Sequence, residues 1–121
     1  MTIEVAITAL LAPLVEGRCY PDVTPSGAIF PLIVHQVVGG RAHKHLERQL
    51  PESENYRVQV YCWAGTRLAA VELGREIRRQ VIEYRVGLKS AIAIGQRVSL
   101  YDAALMLYGV RQDFDIWIKE H

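Results

Sequence analysis

Apolar side chains recur at Ile3, Ala6, Ile7, Leu10, Leu11 and Leu14, a spacing that predicts one amphipathic helix over residues 3–12. Thr2 stands where an N-cap belongs, and Glu4 suits the positive end of the helix dipole. Pro13 lacks the amide hydrogen that would continue the ladder, so the helix ends irregularly, and Gly17 supplies a turn. Cys19 and Tyr20 form a short extended piece. Pro21, Asp22, Pro25, Ser26 and Gly27 then read as an ordered loop.

Residues 31–38 predict a strand that Pro31 can begin but not occupy centrally. Leu32, Val34 and Val38 face one way and Ile33, His35 and Val37 the other. Both faces are largely apolar, which predicts cover on both sides or a subunit contact. Gly39 and Gly40 end the strand. Residues 41–55 are polar, mixed in charge and long for a connection in a compact domain. The next strand alternates: Tyr56, Val58, Val60 and Cys62 share one face, and Arg57, Gln59, Tyr61 and Trp63 the other. Thr66 opens a long helix that lasts to about Tyr84. Its stripe is Ala70, Leu73, Gly74, Ile77, Val81 and Tyr84, and charged residues cover the remainder. A helix of this length is marginal alone, so the stripe is expected to lie on the sheet.

Gly87 and Gly95 bracket a short strand at residues 91–94, and a further strand covers 97–101. Residues 102–104 read as a connector. The last strand runs from about 107 to 119, with Val110, Phe114, Ile116 and Ile118 inward and Arg111, Asp113, Asp115, Trp117 and Lys119 outward. Gln112 is a polar exception on the inward register. The order α-β-β-α-β-β predicts an α+β fold. Its mostly antiparallel sheet of about four main strands carries two helices packed on one face, in a single domain over residues 1–121.

Composition narrows the functional classes. The formal net charge of +1 gives no strong pull on nucleic acid or membranes, so neither is an expected partner. Cys19 and Cys62 make neither a disulfide framework nor a zinc spacing, which fits a reducing compartment. The N-terminus lacks the pattern of a signal peptide, and no apolar run is long enough to cross a bilayer, so a soluble cytoplasmic protein is expected.

No constellation specific to an enzyme emerges. His43 and His45 stand two apart in a polar segment with His35 upstream, but they bring no further ligands, and surface histidines are the simpler reading. His35 on an alternating strand reads as packed or hydrogen-bonded. Cys62 reads as core filling, and Cys19 has no adjacent basic cluster to activate it. Asp113 and Asp115 share a face with Arg111 and Lys119, which describes a solvated or intersubunit charged surface better than an acid–base pair. Arg75, Arg78 and Arg79 form a basic patch interleaved with Glu72, Glu76 and Glu83, a self-compensating helix face. The glycines match no phosphate loop. No catalytic residue, cofactor site or metal site is expected.

Several short patterns, in order, resemble one family. They are Gly17-Arg18-Cys19-Tyr20-Pro21-Asp22, Phe30-Pro31-Leu32-Ile33-Val34-His35-Gln36-Val37, and Arg57-Val58-Gln59-Val60-Tyr61-Cys62-Trp63-Ala64 with the helix after it. The last are Leu107-Tyr108-Gly109 and Phe114-Asp115-Ile116-Trp117. Together they resemble the small tail-completion, or tail-terminator, proteins of long-tailed bacteriophages and prophages. The resemblance implies a structural protein that assembles as a ring, commonly hexameric, on the head-proximal end of the tail tube. Its implied partners are copies of itself, the tail tube protein and a head-closure or connector protein. Its implied locations are the host cytoplasm during assembly and the virion tail or neck where the prophage is active. A ring requires a subunit contact, for which Ile33, His35, Val37, Arg41, Lys44, Arg48, Trp63 and Trp117 are the candidates. Competing expectations are a neck connector on the head side, a prophage-descended protein without its phage role, and a ligand- or metal-binding domain using His35, His43 or His45. Elemental analysis of purified protein separates the last of these: no stoichiometric zinc is expected, and one zinc per chain would restore the histidine reading.

Overall fold

A computed structural model describes residues 2–41 and 53–119. Helix α1, Ile3–Leu11, begins where Thr2 caps it, its hydroxyl accepting from the Val5 amide at 3.3 Å. At Pro13 the helix tightens into a single 3₁₀ turn, Ala12–Val15. Glu16 and Gly17, both at positive φ, then reverse the chain into strand β1, Cys19–Pro21. Strand β2 is Leu32–Val37 and β3 is Ser53–Ala64. Helix α2, Arg67–Arg79, is capped by Thr66, whose hydroxyl accepts from the Ala69 amide. Strands β4, Ser90–Asp102, and β5, Leu107–Lys119, form the closing hairpin.

The sheet has five strands in the order β1-β2-β3-β5-β4. All pairings are antiparallel except β1 with β2, which is parallel. The expected α+β class and mostly antiparallel sheet therefore hold, but the order is α-β-β-β-α-β-β, because the short Cys19–Pro21 piece pairs with β2 as a fifth strand. Helix α1 lies against β1 and β2, and α2 against β3 and β5. Both sit on the same face, where one core joins Ile3, Ile7 and Leu11 of α1 and Ala70 and Ile77 of α2 to Ile33, Val58, Val60, Val110, Phe114 and Ile116. Gly74 lets α2 approach β5, since a Cβ there would stand 3.0 Å from a Val110 methyl.

Three boundaries differ from expectation. Strand β3 starts at Ser53, because Ser53, Glu54 and Asn55 find ladder partners in Lys119, Ile118 and Trp117. Most of the connection before it, including His43, Lys44, His45 and Arg48, lies outside the described residues. The long helix finishes in a π-helical turn, Gln80–Tyr84. The wider turn rotates its last residues away from the sheet, so Tyr84 leaves the stripe and is 57 % exposed. Residues 91–94 and 97–101 belong to one strand interrupted by a bulge between Ile94 and Val98, with Gly95 at φ +69°. Gln112, the polar exception, faces that bulge and donates its side-chain amide to the carbonyls of Ile94 and Gly95. It occupies a core register because the bulge leaves carbonyls that the ladder cannot satisfy.

Phe114 is fully buried at the centre of this core. Its replacement, Phe114→Ala, is expected to lower unfolding free energy by about 3–5 kcal/mol, as truncation of a packed aromatic does. Urea denaturation measures this, and a loss below about 1 kcal/mol would contradict the packing described.

Candidate interaction surface

The helices cover one face of the sheet, and the pairing registers define the other. Leu32, Val34 and Gln36 of β2 align there with Trp63, Tyr61 and Gln59 of β3. Next come Gly109, Arg111, Asp113, Asp115 and Trp117 of β5, and then Leu100, Val98, Ile94, Ile92 and Ser90 of β4. The alternation of β3 and β5 dictates this result: once Val58, Val60, Phe114 and Ile116 enter the core, every second residue must point away.

A polar network occupies the middle of this outer face. Asp113 accepts from Arg57 at 2.7 and 3.2 Å and from the Gln59 amide at 3.4 Å. The Tyr61 hydroxyl donates to Gln59. Arg111 Nε stands 3.8 Å from Asp113 Oδ1, an atom without a hydrogen-bond partner among the described residues. Asp113 is only 8 % exposed, so the cations around it hold a carboxylate that water barely reaches. Beside it, Asp115 accepts from the Asn55 amide and, at 3.4 Å, from Arg41. Asn55 also accepts from the Arg41 backbone amide at 2.9 Å.

Aromatic groups flank the network. The Trp63 indole lies on the backbone of Gly109, where a Cβ would meet its ring atoms at 2.7 Å. Glycine at 109 is therefore what admits the indole. Trp117 lies half-buried further along the same face. Arg67 reaches across the end of the β4–β5 hairpin, donating to the carbonyls of Gly109 and Leu100 and lying 5.1 Å from the centre of the Tyr108 ring.

The candidate residues thus divide. Arg41, Trp63 and Trp117 lie on the outer face. Ile33 and His35 do not reach the surface: they are 0 % and 1 % exposed beneath α1, because β2 is covered on both sides at Leu32, Ile33, Val34 and His35. Val37, at the end of β2, is partly buried against the core. Lys44 and Arg48 lie outside the described residues. Sequence reasoning identified the sides of β5 but missed the joining of Arg57, Gln59 and Arg111 on Asp113, which depends on strand register.

The groups that could carry chemistry are enclosed. Burial pushes the Cys19 and Cys62 thiols up to about 12, so neither is a thiolate near neutrality. Cys62 Sγ faces the Ala70 carbonyl. His35 Nε2 lies 2.8 Å from the Thr8 hydroxyl. Among the described residues, no group of three or more His, Cys, Asp or Glu could hold a metal ion, and no helix is long and apolar enough to cross a membrane.

The described residues leave the outer sheet face free of helices. The family described as Tail completion protein gp17 matches residues 4–119, from the first turn of α1 to the last residue of β5. The chain belongs to this family. Its role is structural, in the assembly of a bacteriophage tail. No curated protein matches it.

The buried His35 gives this tail completion protein a measurable pH response. Burial holds its pKa below the ordinary 6.5, against smaller opposing effects of Asp22 and Glu4. The unfolded chain therefore takes up this proton first as pH falls. Unfolding free energy is expected to decline below pH 6.5, with a slope of at most about 1.4 kcal/mol per pH unit for one proton. His35→Gln, which retains a partner for Thr8, removes that slope. Equal slopes in urea titrations of the two proteins from pH 7 to pH 5.5 would show that His35 does not carry it.

Proposed function

We propose that the chain caps the head-proximal end of the tail tube as a ring and joins the tail to the head-closure complex, by binding and without turnover. The family match over residues 4–119 carries this reading. The described residues support it, because both thiols and His35 are enclosed while a broad sheet face stays free of helices. Capping a polymer requires a subunit that docks on the last tube ring and offers no copy of the tube's own surface to the next one. Closure into a ring uses a heterologous contact whose rotation returns to its start, commonly after six copies. The partners are copies of the chain, the tail tube protein and a head-closure or connector protein, and the site of action is the tail or neck of the virion.

Trp63, Arg111 and Trp117 of the outer face are the proposed contacts with the tube or the head-closure protein. The pairing of half-buried aromatics with arginine matches the composition of energetic centres in protein interfaces. The test is solution mass by light scattering, with and without the tail tube protein of the same phage. A ring, or a monomer that becomes a ring on the tube, is the expected result, with tubes of defined length in electron micrographs. A monomer that ignores the tube would overturn the reading.

A further inference from the structure

The two edges of the sheet differ in charge. At the β4 edge, the last turns of α2 and the β4 bulge enclose a cleft of about 260 Å³ lined by Arg75, Arg78, Arg79, Ile82, Glu83 and Arg97. All four arginines are exposed. Arg79 is answered by Glu76 at 2.7 Å and Glu83 at 4.0 Å. Arg75, Arg78 and Arg97 make no ion pair among the described residues. The helix dipole accounts for Arg78 and Arg79, which lie in the last turn of α2. It does not account for Arg97, which the bulge between Ile94 and Val98 delivers from the sheet.

The β1 edge is acidic and partly apolar. Glu4 borders a shallow cleft of about 330 Å³ formed with Val5, Thr8, Ala9 and Pro21, and Val5 is 56 % exposed. Asp22 follows Pro21, its amide donating to the His35 carbonyl at 2.8 Å. Glu4 lies one helical turn before Thr8, whose hydroxyl meets the His35 ring, so both carboxylates flank His35. Neither makes an ion pair among the described residues, whereas the neighbouring Glu16 is answered by Arg18.

We infer that the arginine cleft at the β4 edge receives the Glu4 and Asp22 edge of a second copy of this chain, so that one subunit's basic edge meets the next subunit's acidic edge. This rests on the ring reading above and assigns its contact. Unanswered cations and unanswered carboxylates lie at opposite ends of the strand order β1-β2-β3-β5-β4. A contact joining opposite edges repeats from copy to copy, as a ring requires. Side chains make it, without strand addition, because β1 has three residues and the bulge breaks the free edge of β4. Glu83 inside the cleft disfavours a bare phosphate chain of high charge, and Ile82 beside the arginines suits the apolar surface around Glu4.

Two charge-reversed proteins test this. One carries Arg75→Glu and Arg97→Glu. The other carries Glu4→Lys and Asp22→Asn, asparagine being chosen because residue 22 sits at φ +67°, a conformation that Asn tolerates. Circular dichroism confirms folding, and the neutral pair Arg75→Gln with Arg97→Gln replaces the reversal if that fails to fold. On tail tube protein, each reversed protein alone is expected to need at least about tenfold more protein for ring assembly than the native chain, a loss of about 1.4 kcal/mol. An equimolar mixture of the two is expected to recover, since each contact then joins either two native or two reversed edges. Native-like assembly of either protein alone, or a mixture that stays monomeric, overturns the assignment while leaving the ring reading intact. Retained self-assembly with lost tube binding would give the cleft to the tube protein and overturn it too. A native chain that never assembles removes the ring reading itself.

Discussion

Packing of the α1 and α2 stripes onto Ile33, Val58, Val60, Val110, Phe114 and Ile116 decides the orientation of every strand. A strand with one face in this core must turn alternate residues away from it, and a one-residue slip would exchange the two sets. The Arg57, Asp113 and Arg111 network, the two tryptophans and the aligned isoleucines of β4 stand where they do because Phe114 and its neighbours face the helices. A second constraint comes from backbone space. Gly74 admits α2 against Val110, and Gly109 admits the Trp63 indole against β5, so one strand carries a close approach on each face.

The helix layer leaves the outer face to settle its own polar groups. It does so with charge: Asp113, nearly enclosed, is held by Arg57 and approached by Arg111, and Asp115 by Asn55 and Arg41. Such pairs add little stability at a surface, but gain strength when a partner excludes water around them. Among the described residues both thiols and His35 are enclosed, and a broad polar and aromatic face and two edges of unlike charge are accessible. That distribution suits a structural tail protein.

Much of this is legible in the sequence, for physical reasons that also explain the rest. The stripes of α1 and α2 and the alternation of β3 and β5 arise from side-chain periodicity, which assigns their faces correctly. The caps at Thr2 and Thr66 are legible as local chemistry. Periodicity does not report a change of helical pitch, so it leaves Tyr84 on a stripe from which the π-helical turn removes it. Glycine at 95 looks like a boundary because a bulge and a turn ask for the same positive φ; only the pairing with β5 distinguishes them. Gln112 is visible as an anomaly, yet its reason lies in carbonyls of another strand. Register is the missing quantity for the interaction surface as well. Arg57, Asp113 and Arg111 are separated along the chain, and nothing in their spacing says that they meet. The sequence allows His35 to be either packed or an interface residue; burial on both faces of β2 leaves the first reading.

Both tryptophans of the chain lie on the outer face, which allows the proposed docking role of that face to be measured directly. The chain can be labelled with 5-fluorotryptophan and its fluorine resonances followed as tail tube protein is added, with a paramagnetic solvent probe reporting exposure. If the outer face is the docking surface, the resonance of Trp63 or Trp117 shifts and loses contact with the probe in step with binding. If the chain binds the tube while both resonances keep their positions and their exposure, the outer face is not where assembly occurs.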